Sequence, residues 1–258
     1  MFLTKYSLIK YFFFSSFLLV FESCNHELID SDYDVTTIEV ANMRDEMIVS
    51  KSTINVAYTS NHQIKNYEEH FLRFFDGNNT LERHFNYTFN YSNERCDVMR
   101  VIDDDDAYID TYYLNNDGTI KEARLSNGST ISYSYNKGYL SAIDGNTYYW
   151  NNDNIVSIID NLGRRFELYY YDLPNPFHNA VDWAIDVGKL LPGDPFGYGF
   201  LGPRNANLIQ DVIGDSISYH WYYETDESGR IIAYKRVFVS EDNSSDIVDV
   251  KLVYQDTK

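Results

Sequence analysis

The side chains with reactive or ligating chemistry are few, and their spacing is uninformative for catalysis. The six histidines, His26, His62, His70, His84, His178 and His220, show no HExxH pattern and no i, i+4 pair, the spacings that put two imidazoles on one helix face around zinc. His84 and His220 alternate within strand-like runs and read as exposed or hydrogen-bonded sheet residues, so no metal is expected. The run Asp103-Asp104-Asp105-Asp106 could offer hard oxygen ligands to Ca²⁺. It fails the EF-hand test, because taking Gly118 as the loop glycine puts Tyr113 first and Arg124 twelfth. It reads instead as a solvated loop between Val101-Ile102 and Ala107-Tyr108-Ile109. No nucleophile elbow, Cys–His pair or phosphate-cradling loop appears. Of the 39 carboxylates, any two could form a glycosidase pair, and nothing in their spacing singles two out. The expectation is no catalytic residue and no cofactor.

The two cysteines have different readings. Cys24 follows Lys5, Lys10 and the apolar run Tyr11–Phe21, which is too short to span a bilayer but suits a signal-peptide core. Phe21-Glu22-Ser23-Cys24 resembles the lipobox of bacterial lipoproteins, in which the cysteine becomes the lipidated N-terminus. Residues 1–23 are therefore expected to be a signal peptide and Cys24 the lipidation site. Residues 24–34 read as an acidic tether, and 35–258 as a single domain. Cys96 has no partner and reads as a small buried hydrophobe.

Composition narrows the class. The 258 residues carry 21 Lys and Arg against 39 Asp and Glu, a net charge of −18. That balance argues against nucleic acid, whose phosphates need a basic face. With 17% aromatic residues, 24 of them Tyr, the chain has too much to bury for disorder. Tyr and Trp on an open sheet face stack on sugar rings or apolar peptide. Trp150, Tyr198, Phe200 and Trp221 are the candidate ligand-binding residues for a glycan or protein partner.

These residues need a β framework. In Ser216–Tyr223 one face carries Ile217, Tyr219, Trp221 and Tyr223, while Ser218 and His220 lie on the other. Asn116-Asp117-Gly118, Asn136-Lys137-Gly138, Asn152-Asp153-Asn154 and Glu227-Ser228-Gly229 each precede an apolar strand. Such residues accept positive φ and favour tight hairpins. The expected fold is all-β: an antiparallel meander of repeated hairpins that forms a curved sheet or barrel-like fold. The spacing of Phe177, Ala180, Val181, Ala184 and Ile185 predicts one short helix near 176–187.

Tyr135–Ile143 followed by Tyr149–Ile158 resembles a YD-type repeat of the RHS kind. More narrowly, the chain resembles a family of uncharacterised lipoproteins from Bacteroides-type bacteria described as having a porin-like fold. That resemblance implies a curved or barrel-like antiparallel sheet and carries no functional residues. The function expected is a lipid-anchored, non-catalytic binding or scaffold module at the outer membrane, on its periplasmic or its surface face. The alternatives are a carbohydrate-active hydrolase with paired carboxylates and a structural fragment of an RHS-like shell.

Overall fold

The computed structural model describes residues 35–45, 47–60, 63–75, 80–175, 205–241 and 244–254. They form sixteen strands: β1 (Val35–Arg44), β2 (Met47–Tyr58), β3 (Ile64–Phe74), β4 (Thr80–Ser92), β5 (Arg95–Ile102), β6 (Tyr108–Leu114), β7 (Ile120–Arg124) and β8 (Thr130–Asn136). The second half comprises β9 (Tyr139–Ile143), β10 (Asn146–Asn151), β11 (Asn154–Ile159), β12 (Arg165–Pro174), β13 (Asn207–Gly214), β14 (Ile217–Thr225), β15 (Ile231–Ser240) and β16 (Ser245–Tyr254). Every strand pairs antiparallel with its sequence neighbours, and β1 pairs with β16, so the meander closes into a barrel. The expected sheet thus has no free edge along this ring. Closure removes the unpaired row of amides and carbonyls that an open meander would present. No helix occurs among the described residues; the helix expected near 176–187 lies outside them.

The hairpins follow from local chemistry. Lys137-Gly138, Asp144-Gly145 and Asn152-Asp153 place two successive residues at positive φ, as two-residue turns between twisted strands require. Around Gly118, Gly128, Gly163 and Gly229 a three-residue loop recurs. In the first, Gly118 N donates to Asn115 O at 2.9 Å and Asn115 N to Thr119 O at 2.7 Å. The last is fastened by Asp226, whose Oδ1 accepts from Ser228 N at 2.9 Å and Arg230 N at 3.0 Å. Its Oδ2 accepts from Arg230 Nε at 2.8 Å.

Burial would push the Asp226 carboxyl up, but the Ser228 and Arg230 hydrogen bonds outweigh it and hold the group at about 2, below its ordinary 3.8. A depressed folded-state value stabilises the fold above the unfolded one. The contribution is complete above 3.8 and disappears as pH falls from there towards 2. Urea midpoints measured on both sides of this window should fall less in Asp226→Asn than in the wild type. Equal falls would show that the turn does not carry this proton linkage.

The repeat unit of two strands brings like residues to one rim. On six even-numbered strands an aromatic near the C-terminal end donates to a carbonyl at the start of the preceding strand. The donors are Tyr58 to Val35 O, Tyr91 to Ile64 O, Trp150 to Leu140 O, Tyr170 to Ile155 O, Tyr223 to Ile209 O and Tyr254 to Ile231 O, over 2.6–3.0 Å. A phenol or indole can bury its ring inside and still satisfy its polar tip at the rim. Six of the chain's aromatic residues are used in this way.

All sixteen strands send buried side chains into one apolar cluster in the lumen, among them Ile38, Ile54, Val98, Tyr112, Ile120, Ile158, Phe166, Val212, Trp221 and Val250. Alternate residues face out. Glu39, Lys51, Glu68, Arg124, Glu167, Lys235 and Lys251 are exposed on the wall. The lumen is mostly apolar, and the wall carries charged residues among exposed apolar and aromatic ones such as Ile213, Tyr222 and Val253.

Candidate functional site

The structure separates the sequence-expected aromatics. Trp221 on β14 is 1% exposed and lies in the packed lumen, its ring 6.0 Å from Tyr219. Its indole Nε1 is buried with no hydrogen-bond partner. The period-two pattern puts Trp221 on the inner face with Tyr219, so no ring face is open to the exterior. Trp150 on β10 is half-buried; its Nε1 bonds Leu140 O, and its ring lies 5.0 Å from Tyr139. The Tyr139 hydroxyl in turn bonds Asp153. Tyr198, Phe200 and Cys24 lie outside the described residues.

The rings that are open on the wall were not singled out by type. Tyr149 on β10, Tyr169 on β12 and Tyr222 on β14 are 47%, 49% and 55% exposed. Strand parity is the signal that finds them: Tyr149, Tyr169 and Tyr222 each follow a buried residue, namely Tyr148, Leu168 and Trp221. Asp211 is the register partner of both Tyr169 and His220, so a carboxylate sits between an exposed ring and an imidazole. His220 Nδ1 lies 2.6 Å from Asp211 Oδ1, and Ser218 Oγ lies 3.0 Å from His220 Nε2. The order Ser–His–Asp matches the connectivity of an acyl-transfer triad. Catalysis also needs amide donors aimed at a developing oxyanion. The β13–β14 and β14–β15 ladders run through Ser218 and His220 and commit the local amides to strand pairing. The trio therefore reads as a polar network on the sheet.

A second outer cluster joins β3 and β4. His70 is directly opposite His84, and their rings stack with centroids 4.6 Å apart and planes 7° from parallel. Glu82 is two residues from His84 on the same face. Its Oε1 lies 2.6 Å from His70 Nε2 and 3.4 Å from His84 Nε2. These three are the one set of His, Cys, Asp or Glu side chains able to converge on an ion among the described residues.

The acidic run is more than a solvated loop. Asp103 pairs with Arg83, and its Oδ1 accepts from His84 N at 2.7 Å. The Arg83 hydrogen bond, with the His84 amide, holds its carboxyl below the ordinary range. Asp103 and Asp104 both have positive φ and turn the chain there.

Inside the barrel, Cys96 is fully buried and its thiol is pushed up to about 12, by burial first and by Asp97 second. Such a thiol is no nucleophile at neutral pH. Glu69, held by Ser52 Oγ at 2.6 Å, faces inward and is raised by burial. Arg100 also faces the lumen, opposite Tyr87, with its guanidinium over the Tyr108 ring.

Fold and wall together define a class: a closed, sixteen-strand antiparallel barrel with a filled lumen. A porin-like protein from Bacteroides uniformis, known from its crystal structure, has a similar fold. The match covers 86% of this chain and 96% of that one, with a TM-score of 0.63 and 17% sequence identity. A porin-like protein from Bacteroides vulgatus aligns over 87% of this chain and 100% of that one, at 11% identity and a TM-score of 0.30. No protein-family model matches the sequence, and no curated protein does.

Proposed function

We propose that the chain is an exported lipoprotein whose barrel acts at the outer membrane as a non-catalytic binding or scaffold module. The polarity of the wall carries this reading. A barrel that crosses a bilayer turns an apolar band outward and polar residues inward. Here Lys51, Glu68, Arg124, Glu167, Lys235 and Lys251 lie outward along the strands, and Ile, Val, Tyr and Phe fill the lumen. A Lys or Arg on the lipid face near the bilayer midplane costs about 2–4 kcal/mol, so several together oppose insertion. No helix among the described residues is long and apolar enough to cross instead. Attachment to the membrane then falls to lipid on Cys24.

The binding surface is the aromatic one. Tyr149, Tyr169 and Tyr222 on the wall, with Trp150 at the rim, offer flat rings for a glycan or an apolar peptide; Tyr198 and Phe200, the other expected ligand-binding rings, lie outside the described residues. Glu167 and Asp211 beside the wall rings, on a chain of net charge −18, suit a neutral or cationic ligand and disfavour an anionic one.

Metabolic labelling with palmitate tests the address. The wild type should incorporate label and partition with membranes. Cys24→Ala should lose the label and move to the soluble fraction. Undiminished labelling of Cys24→Ala, or none in the wild type, would reject the anchor.

A further inference from the structure

We propose that His70, His84 and Glu82 form a divalent transition-metal site on the outer wall, of the kind Zn²⁺ fills, with one coordination position left open. Strand geometry supplies the preorganisation. Directly opposed residues of an antiparallel pair bring their Cβ atoms about 4.5–5.5 Å apart, and residues two apart on one strand share a face. The β3–β4 register makes His70 and His84 such a pair and leaves Glu82 beside both. Their donor atoms all lie within 4.8 Å of one another.

Zinc bonds of about 2.0–2.2 Å to nitrogen and oxygen put tetrahedral ligand atoms about 3.3 Å apart. The 3.4 Å between His84 Nε2 and Glu82 Oε1 already has that value. The 2.6 Å between His70 Nε2 and Glu82 Oε1 is a hydrogen bond and must open by under an ångström. The rings stand nearly parallel, so binding requires each to rotate about its side-chain torsions until its in-plane Nε2 lone pair points at the ion. The side chains are 41%, 57% and 57% exposed for His70, Glu82 and His84, which leaves room for rotation and for an ion to enter.

The donor set selects the ion. Two imidazoles and one carboxylate suit Zn²⁺, Cu²⁺ or Ni²⁺, whereas Ca²⁺ and Mg²⁺ prefer six or more oxygens. Three protein ligands leave a fourth position for water or for a donor on a partner molecule.

Metal-free protein titrated with Zn²⁺ by calorimetry should bind one equivalent per chain. His70→Ala and His84→Ala should each weaken binding about tenfold or more, and Glu82→Gln should also weaken it. His220→Ala, on the other outer cluster, should leave it unchanged. Co²⁺ as a spectroscopic probe should give the intense visible absorption of a four-coordinate ion in the wild type and lose it in the His70→Ala/His84→Ala double variant. Circular dichroism of the metal-free variants checks folding independently. Zinc binding of equal affinity and stoichiometry in the double variant, or no saturable binding by the wild type, would overturn the site.

Discussion

Trp221→Ala is expected to lower the unfolding free energy by about 3–5 kcal/mol, the usual cost of truncating a large aromatic in a packed core. Trp221 is among the largest fully buried side chains, with Tyr219 beside it and Arg236 in register opposite. Its removal leaves a void that the rigid ladders of β13 and β15 cannot collapse around. Trp221→Phe should cost much less. The indole N–H has no partner, so exchanging it for a hydrocarbon ring relieves an unsatisfied buried donor while keeping most of the volume. Urea denaturation followed by far-ultraviolet circular dichroism would measure both. A Trp221→Ala protein of near wild-type stability would contradict the packed lumen. A Trp221→Phe protein as unstable as Trp221→Ala would mean that the indole nitrogen is bonded.

Ile38→Ala is expected to cost about 2–5 kcal/mol, and its effect should concentrate at the closure of the barrel. Ile38 is fully buried on β1 and is the register partner of Leu252 on β16 and of Ile54 on β2. It packs where the first and last strands meet. Further along the same two strands, Arg44 holds Asp246 through two hydrogen bonds of 2.8 and 3.0 Å. Arg44 is largely exposed, so that pair contributes little, and the seam depends on apolar contact. Native-state hydrogen exchange should accelerate first at β1 and β16 amides in Ile38→Ala. Removing the same kind of side chain from the outer face, at Ile213, which is 38% exposed, should cost a small fraction of this. Equal costs at the two sites would contradict the assignment of inside and outside.

Local features of the fold are legible in the residues. The Gly- and Asn-rich turns bend where their chemistry permits positive φ, and β14 keeps the alternation read from Ser216–Tyr223. The hairpin as a repeat of two strands is the observed unit, and it accounts for the aromatic donors that return to one rim. Trp221 illustrates the limit. Its type suggested an exposed ligand-stacking ring, while its parity with Ile217 and Tyr219 placed it inside. Parity decides because a strand has two faces and the buried one must hold the apolar set. For the acidic run, composition alone suggested solvation. Arg83 and the His84 amide reach Asp103 only because the β5–β6 turn folds back on β4.

The pair His70 and His84 marks where sequence reading stops. Glu82 and His84 share a face by their spacing, which is readable along one strand. His70 joins them through the register of the β3–β4 hairpin, and a shift of one residue would send it to the other face. Closure is the larger case of the same physics. Turn chemistry acts over a few residues, so the sequence by itself determined an antiparallel, all-β chain of hairpins with alternating faces. Pairing of β1 with β16 joins residues more than 200 apart. It is set by the accumulated twist and strand count of the whole sheet and by the need to fill a single lumen. The tertiary structure alone decided that the sheet closes and which side chains from different strands meet on the outside.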